Sequence, residues 1–150
     1  MVEIREIGFA EPEVQKLVTE LLGDLALRYG GNGDDTPVTL TDFDPPDGRF
    51  FVAADGDQLL GCVGWRRHGA DAELKRMFTV PAARGRGVAR LLLAAVEASA
   101  REAGLRRVIL ETGDKQPEAI GLYISAGYER IPDFGYYKDE DGVLSFAREL

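Results

Sequence analysis

The sequence predicts an α/β (α+β) fold built on a central mixed, mostly antiparallel sheet of about seven strands, and three observations lead to this class. The chain has 150 residues, 45% of them hydrophobic and 29% charged, as expected for one folded domain with its own core. No internal repeat or long linker divides it, so we predict a single domain over residues 1–150. The predicted elements follow the order strand, helix, three strands, helix, strand, helix, two strands. Consecutive strands joined by tight turns pair antiparallel, whereas strands separated by a helix can pair in parallel.

The first third of the chain predicts one strand, one helix and a long loop. VEIREIGF (2–9) alternates as a strand does. Pro12 suits the first turn of a helix. The apolar residues that follow recur every three or four positions on one helical face: Val14, Leu17, Val18, Leu21, Leu22 and Leu25. The stretch 29–48 is rich in turn-forming residues and predicts a loop, which in a compact domain is often functional.

The middle of the chain predicts a three-stranded meander. RFFVAA (49–54) and QLLGCVGWRR (58–67) flank Asp-Gly-Asp, which favours a tight hairpin because Asp-Gly tolerates positive φ. HGAD supplies a second turn before the strand AELKRMFTV (72–80), which Pro81 ends. Apolar residues at helical spacing over 88–99 then predict the second helix.

The last third predicts three strands and one helix. RRVILET (106–112) is short, β-branched and apolar, as strands are. QPEAIGLYISAG (116–127) has Pro in its first turn and Gly just past its end, which is typical of a helix. YERIPDFGYY (128–137) and VLSFAREL (143–150) predict two final strands joined across DEDG.

Composition excludes several classes of function. The net charge of −8 argues against nucleic-acid binding, which requires a surplus of basic groups. No apolar run is long enough to span a membrane, and the acidic start MVEIREIGFAEP is unlike a secretory signal, so we expect a cytoplasmic protein with no membrane partner. One cysteine, Cys62, and one histidine, His68, make a metal site unexpected. Cys62 lies in an apolar strand, where we expect a buried small hydrophobe rather than a nucleophile.

The stretch PAARGRGVARLLL (81–93) places glycine and arginine at the start of a helix. The first N–H groups of a helix lack partners and carry partial positive charge, and glycine lets a ligand approach the backbone closely. Arginine adds charge-assisted hydrogen bonds, so this segment predicts an anion site that suits a diphosphate. A P-loop would need Gly-Lys-Ser/Thr here, and a dinucleotide fingerprint would need glycine where Arg90 stands.

Residues 84–89, RGRGVA, match the R/Q-x-x-G-x-G/A signature of the GNAT (Gcn5-related N-acetyltransferase) superfamily. Residues 119–128, AIGLYISAGY, resemble the A-x-x-L-Y-x-x-x-G-F/Y segment of the same enzymes. The predicted order of elements is also similar, so the resemblance covers nearly the whole chain. Two departures are Gln116, where many members have Asn, and residues 30–48, which match nothing in the family and lie where substrate identity usually resides.

The resemblance implies acetyl-CoA as co-substrate and no metal. It also implies a sheet splayed between the fourth and fifth strands, whose open edge pairs with the pantetheine arm. An N–H near Phe78 would then polarise the thioester carbonyl. The cofactor-binding residues implied in this way are Phe78, Val80, Arg84, Gly85, Arg86, Gly87, Val88, Ala89 and Gln116.

The resemblance further implies a base for the attacking amine and an acid for the departing sulfur. Glu73 and Glu111 are both candidates for the base. Their structural alternatives are a solvated strand-end carboxylate for Glu73 and, for Glu111, an ion pair with an arginine such as Arg106 or Arg107. Tyr123 occupies the position of the acid, and its alternative is a tyrosine packed in the core.

Aromatic residues elsewhere are interpreted as packing. Phe134, Tyr136 and Tyr137 could line a pocket or fill a sheet face, and aromatic clusters in strands are more often packing. Trp65 is interpreted in the same way. These residues stay outside the predicted catalytic set.

The function implied is N-acetyl transfer from acetyl-CoA to a primary amine by direct attack in a ternary complex, without an acyl-enzyme. One alternative is a non-catalytic acyl-CoA sensor of the same fold. Another is an unrelated nucleotide-binding protein such as a kinase-like fold, against which the missing Lys-Ser/Thr pair argues. The acceptor is an unspecified small-molecule or peptide amine, and exposed edge strands near the C-terminus are compatible with a homodimer.

Overall fold

The computed structural model describes residues 1–150, and its central element is a seven-stranded sheet. In chain order the elements are β1 (Glu3–Glu6), α1 (Pro12–Tyr29), β2 (Gly48–Asp55), β3 (Gln58–His68), β4 (Asp71–Thr79), a 3₁₀ turn (Pro81–Ala83), α2 (Val88–Glu102), β5 (Arg107–Gly113), α3 (Pro117–Ser125), β6 (Glu129–Arg130) and β7 (Val143–Glu149). The strand order in the sheet is β1-β2-β3-β4-β5-β7-β6, and every neighbouring pair is antiparallel except β4–β5, which is parallel. The predicted mixed, mostly antiparallel sheet is therefore confirmed.

The meander β2–β3–β4 forms around tight turns where the sequence predicts them. Asp55 pairs with Gln58 across a two-residue turn, and Gly56 there has φ of 59°. Such positive φ is the conformation that an Asp-Gly hairpin requires. The second turn places His68 opposite Asp71.

The two faces of the sheet carry separate cores. Because successive strand residues point to opposite faces, Phe50 and Val52 of β2 pack on one side while Phe51 and Ala53 pack on the other. The helix α1 covers the first side, and α2 and α3 cover the second. No helix in the structure has the length and apolar character needed to cross a membrane.

Two predicted strands are shorter than expected. The first spans Glu3–Glu6 rather than 2–9, because Phe9 leaves the sheet and packs against Phe43 at 4.7 Å between ring centroids. The prediction of a strand over 128–137 is wrong beyond Glu129–Arg130. Pro132 has no N–H for a sheet ladder, so the chain turns away from β7 near this point.

The parallel pair β4–β5 is joined only at its first residues. Ala72 pairs with Val108 and Glu73 with Ile109, and beyond these the two strands diverge. A bulge in β4 contributes to the divergence, since Cys62 pairs with Phe78 but Gly64 pairs with Lys75. The predicted splay between the fourth and fifth strands is therefore confirmed, and it opens a gap in the middle of the sheet.

Candidate functional site

The loop at residues 84–90 includes the first residues of α2 and presents free backbone N–H groups from residue 85 onward. Gly85 and Gly87 have φ of 80° and 78°, a backbone conformation that residues with a side chain rarely adopt. A Cβ at either position would meet no atom within 4 Å, so the space beside the backbone is open. The first helical bond of α2 runs from Leu91 N–H to Gly87 C=O at 3.2 Å, and the N–H groups of residues 85–90 donate no hydrogen bond within the protein. This open cradle fits a diphosphate.

The side chains of Arg84 and Arg86 make few contacts with other groups of the protein. Arg84 Nε donates to Thr79 C=O at 3.1 Å, which folds its side chain back toward the gap. Arg86 lies 3.8 Å from Asp55 and is half exposed. Since exposed ion pairs at such distances contribute little, Arg86 remains free to meet an anion.

The sequence predicts that the backbone groups of Phe78 and Val80 face the gap beside β4, and the structure places the Val80 N–H on the other side. Val80 N–H donates to Leu60 C=O at 2.9 Å, toward β3, whereas Thr79 C=O accepts from Arg84 on the other side. Alternate strand residues direct their backbone groups to opposite sides. By this alternation the backbone of Phe78 also faces β3, while Met77 and Thr79 face the gap, which differs from the expectation that Phe78 and Val80 supply the backbone ligands.

Two cavities meet at the gap. One, of about 310 Å³, lies beside the 84–90 loop and reaches α1 and α3. The other, of about 390 Å³, lies between loop 30–48, residues 137–143 and the diverging strands β4 and β5. We call these the loop cavity and the distal cavity. Four residues line both: Leu21, Met77, Gln116 and Tyr123.

Tyr123 is packed in the core and also faces both cavities. Its ring is 4% exposed and lies 5.7 Å from the Tyr128 ring and 6.4 Å from the Phe146 ring, measured between centroids. Its hydroxyl makes no hydrogen bond within the protein, and burial raises the pKa of Tyr123 well above the usual value. The packing alternative is thus correct for the ring, while the hydroxyl stays protonated and unpaired.

Gln116 lies just before α3, at the junction of the cavities. Its Oε1 accepts a hydrogen bond from the Tyr29 hydroxyl at 3.2 Å, and the same hydroxyl accepts from Lys115 N–H at 3.2 Å. The amide nitrogen of Gln116 makes no such bond. Gln116 is therefore positioned by α1 with a donor to spare.

Glu73 is buried and paired rather than solvated. Its Oε1 accepts from Arg66 Nε at 3.0 Å, and its Oε2 lies 3.6 Å from Lys75 Nζ. Glu73 does not line the distal cavity, whereas Lys75 does. The structural alternative of a solvated strand-end carboxylate is wrong for Glu73, because Arg66 and Lys75 enclose it.

Glu111 also faces Lys75, from the opposite strand. Its Oε1 lies 3.9 Å from Lys75 Nζ without any hydrogen bond, and its Oε2 accepts from Tyr137 N–H at 3.2 Å. Burial raises the pKa of Glu111 above its ordinary value, with Lys75 opposing. The alternative of an ion pair with Arg106 or Arg107 is wrong, since both arginines pair with Asp71.

Tyr137 and Asp34 belong to the distal cavity, although the sequence assigned neither to a site. The Tyr137 hydroxyl donates to Asp34 Oδ1 at 2.7 Å, and Arg76 forms an ion pair with the same carboxylate. Burial and the neighbouring Asp34 raise the pKa of Tyr137 to about 12. Although burial opposes it, hydrogen bonds from Thr36 and Tyr137 and the charge of Arg76 lower the pKa of Asp34.

These contacts tie loop 30–48 to the segment 131–142 over the distal cavity. From the sequence, only the adjacent basic residues Lys75 and Arg76 within the predicted strand 72–80 could have indicated these contacts. Elsewhere Trp65 is fully buried, as interpreted, and Cys62 is fully buried with its Sγ 3.3 Å from Arg76 C=O. The structure contains no cluster of three or more His, Cys, Asp or Glu side chains suited to a metal ion.

Comparison with known proteins agrees with this geometry. Residues 18–128 match the model of the family described as the Acetyltransferase (GNAT) family. The chain is thus an acyltransferase by class. It belongs to the GNAT acetyltransferase family.

Individual relatives cover almost the whole chain. An IAA acetyltransferase of Azospirillum brasilense is 36% identical over 146 residues, which cover 93% of this chain and 95% of the relative. The GNAT domain of S. lividans PAT superposes with a TM-score of 0.78 at 26% identity, over 99% of this chain and 90% of that one. The PaiA N-acetyltransferase of Thermoplasma acidophilum, solved in complex with coenzyme A, has a TM-score of 0.76 over 100% and 99% of the two chains. At 14% identity this last likeness concerns the fold alone.

Proposed function

We propose that the chain transfers an acetyl group from acetyl-CoA to a primary amine, by direct attack in a ternary complex. The observation that carries this proposal is the meeting of two cavities at the β4–β5 gap, one beside free N–H groups and the other beside buried carboxylates. Such a passage lets two reactants approach from opposite sides and meet at Tyr123 and Met77. Holding both reactants in place supplies much of the rate enhancement in such reactions.

The loop cavity is the proposed site of the acyl donor. Bound acetyl-CoA supplies an activated thioester. The N–H groups of residues 85–89 bind its diphosphate, with the guanidinium groups of Arg84 and Arg86 nearby. The gap-facing backbone groups of Met77 and Thr79 hold the pantetheine arm as an added strand. Gln116, with its spare amide donor, contacts the same arm.

The distal cavity is the proposed site of the amine. The amine attacks only when neutral, so a base must take its proton. Of the two candidates we assign this role to Glu111, because it lines the distal cavity while Glu73 is enclosed by Arg66 and Lys75. The raised pKa of Glu111 makes its carboxylate a stronger base than an exposed one.

Tyr123 is the proposed acid. Tyr123 lines both cavities, and its hydroxyl has no partner within the protein. A tyrosine is protonated at neutral pH, and burial raises the pKa of Tyr123 further above that range. It donates its proton to the departing sulfur. The N–H of Met77, on the same side of β4 as the acyl donor, polarises the thioester carbonyl.

The test is an acetyl-CoA-dependent thiol-release assay across a panel of primary amines, with mass spectrometry of the products. We expect one thiol released per amine acetylated. Tight binding of coenzyme A without thiol release in the presence of any amine, peptide N-terminus or lysine peptide would instead support the non-catalytic sensor.

A further inference from the structure

A buried lysine lies between two glutamates, one from each of the diverging strands β4 and β5. The Lys75 side chain is 7% exposed, and its Nζ is 3.6 Å from Glu73 Oε2 and 3.9 Å from Glu111 Oε1. Its hydrogen bond goes to Thr36 Oγ1 at 3.4 Å. A buried ammonium is costly unless negative charge compensates it, and here a carboxylate from each diverging strand does so. The lysine therefore links β4 to β5 at the place where their backbone pairing has ended.

The two glutamates depend on this lysine to different degrees. Glu73 has a second cation, since Arg66 Nε bonds its other oxygen at 3.0 Å, and Arg66 is itself fixed by Asp42. Glu111 has no second cation, because Lys75 is the one basic side chain within ion-pair distance of it. Loss of the Lys75 charge would thus leave Glu73 paired and Glu111 uncompensated.

We propose that Lys75 is a positioning residue for acetyl transfer, whose ammonium holds the Glu111 carboxylate ionised and turned toward the distal cavity. The inference rests on the proposed function, with Glu111 as the base. Lys75 acts through Glu111 and transfers no proton itself. Glu73 is also bonded to Arg66, so its carboxylate stays in place when the charge of Lys75 is removed.

The pH dependence follows from the groups that surround Glu111. Burial raises its pKa most, Lys75 and the Tyr137 N–H lower it, and Glu73 and Asp133 raise it. The other charged side chains around the cluster are paired among themselves, namely Arg66 with Asp42 and Glu73, and Arg76 with Asp34. A base works only when unprotonated, so activity falls as pH drops through the pKa of Glu111. Without Lys75 that pKa rises further, and the fall occurs at higher pH.

A direct measurement is a carboxylate titration by NMR with ¹³C-labelled glutamate. The Glu111 resonance is assigned by its absence in Glu111→Gln. We expect Lys75→Met to raise the Glu111 midpoint by about 1–3 pH units, the range typical of losing a close opposite charge. Lys75→Arg should return the midpoint close to wild type. Lys16→Met, the same charge removal on the exposed face of α1, should leave it unchanged.

The second readout is the pH profile of kcat/KM for the same proteins. In Lys75→Met the acid limb should move upward with the NMR midpoint, and activity should recover at alkaline pH while coenzyme A affinity stays at wild type. Lys75→Gln, which keeps a polar contact to Thr36, replaces the Met variant if circular dichroism shows that Met prevents folding.

The outcomes separate this inference from the proposed function. An unchanged Glu111 midpoint without Lys75 overturns the role of Lys75, whatever the activity. Loss of activity that does not recover at high pH also overturns it, because a merely structural effect has no such pH dependence. A shifted midpoint in a chain whose wild type acetylates no amine overturns the proposed function, while the coupling between Lys75 and Glu111 stands.

Discussion

In the proposed mechanism, Tyr123 combines two roles that are often treated as alternatives. Its ring is part of the core beside Tyr128 and Phe146, while the residue lines both cavities and its hydroxyl has no partner within the protein. Packing fixes the ring, and a fixed ring places the hydroxyl reproducibly. For this residue, core packing supports the proposed proton donation.

At this scale we predict that Tyr123→Phe lowers kcat by about 100-fold or more, the usual contribution of a positioned acid. The affinity for coenzyme A, measured by calorimetry, should change little because the ring is retained. Tyr136→Phe is the matched control, since that tyrosine is 54% exposed and should keep wild-type kcat. Wild-type turnover in Tyr123→Phe would show that Tyr123 is structural alone.

Among the elements, the loop before α2 and the bulged strand β4 set up the donor side. Positive φ at Gly85 and Gly87 turns successive N–H groups outward, and α2 adds its own unpaired N–H groups behind them. The strand β4 offers a free edge only because β5 diverges from it. Backbone rather than side chains thus forms most of the proposed donor site.

The matching prediction concerns Gly87→Leu. A side chain there would project into the open cradle, so we expect coenzyme A affinity by calorimetry to fall at least tenfold, about 1.4 kcal/mol. Gly104→Leu is a stringent control, because Gly104 has a similar φ of 76° with nothing within 4 Å of its Cβ position, at the other end of α2. Both variants carry the same backbone strain, so equal losses of affinity would argue against the cradle.

The secondary-structure elements are predicted well from the sequence, whereas the contacts between distant elements are not. Periodicity and turn residues predict every helix and the meander, because those signals are local. The side of β4 that faces the gap depends on pairing with β3, so alternation alone could not choose Met77 and Thr79 over Phe78 and Val80. The docking of loop 30–48 through Asp34 and Tyr137 depends on residues about 100 positions apart, for which the sequence has no periodic signal.

Across the whole molecule, the sheet that contains the gap is packed against a core on each of its faces. The helix α1 closes one face and α2 the other, so the site lies in a sheet that is supported from both sides. Leu92 of α2 is fully buried, and a Cβ added to Gly61 of β3 would lie 3.2 Å from its Cδ1. Because Gly61 has no Cβ, the start of α2 can lie close against the meander.

We therefore expect the free energy of unfolding to depend on the Leu92 side chain. We expect Leu92→Ala to reduce the free energy of unfolding in urea by about 2–5 kcal/mol, as truncation of a buried leucine usually does. Leu91→Ala on the same helix, where the side chain is 44% exposed, should change it by less than about 1 kcal/mol. Similar losses in the two variants would contradict the packing described for α2.

The burial of Cys62 has a practical consequence for the thiol-release assay. The residue is fully buried in the core on the α1 face of the sheet, and burial raises the pKa of its thiol to about 12. Thiolate is the form that reacts with disulfide dyes, so we expect Cys62 of the native protein not to react with them. The absorbance of such a dye then measures the release of free coenzyme A continuously during turnover. In unfolding experiments, the same dye would report the opening of the sheet through one added equivalent of reactive sulfur per chain.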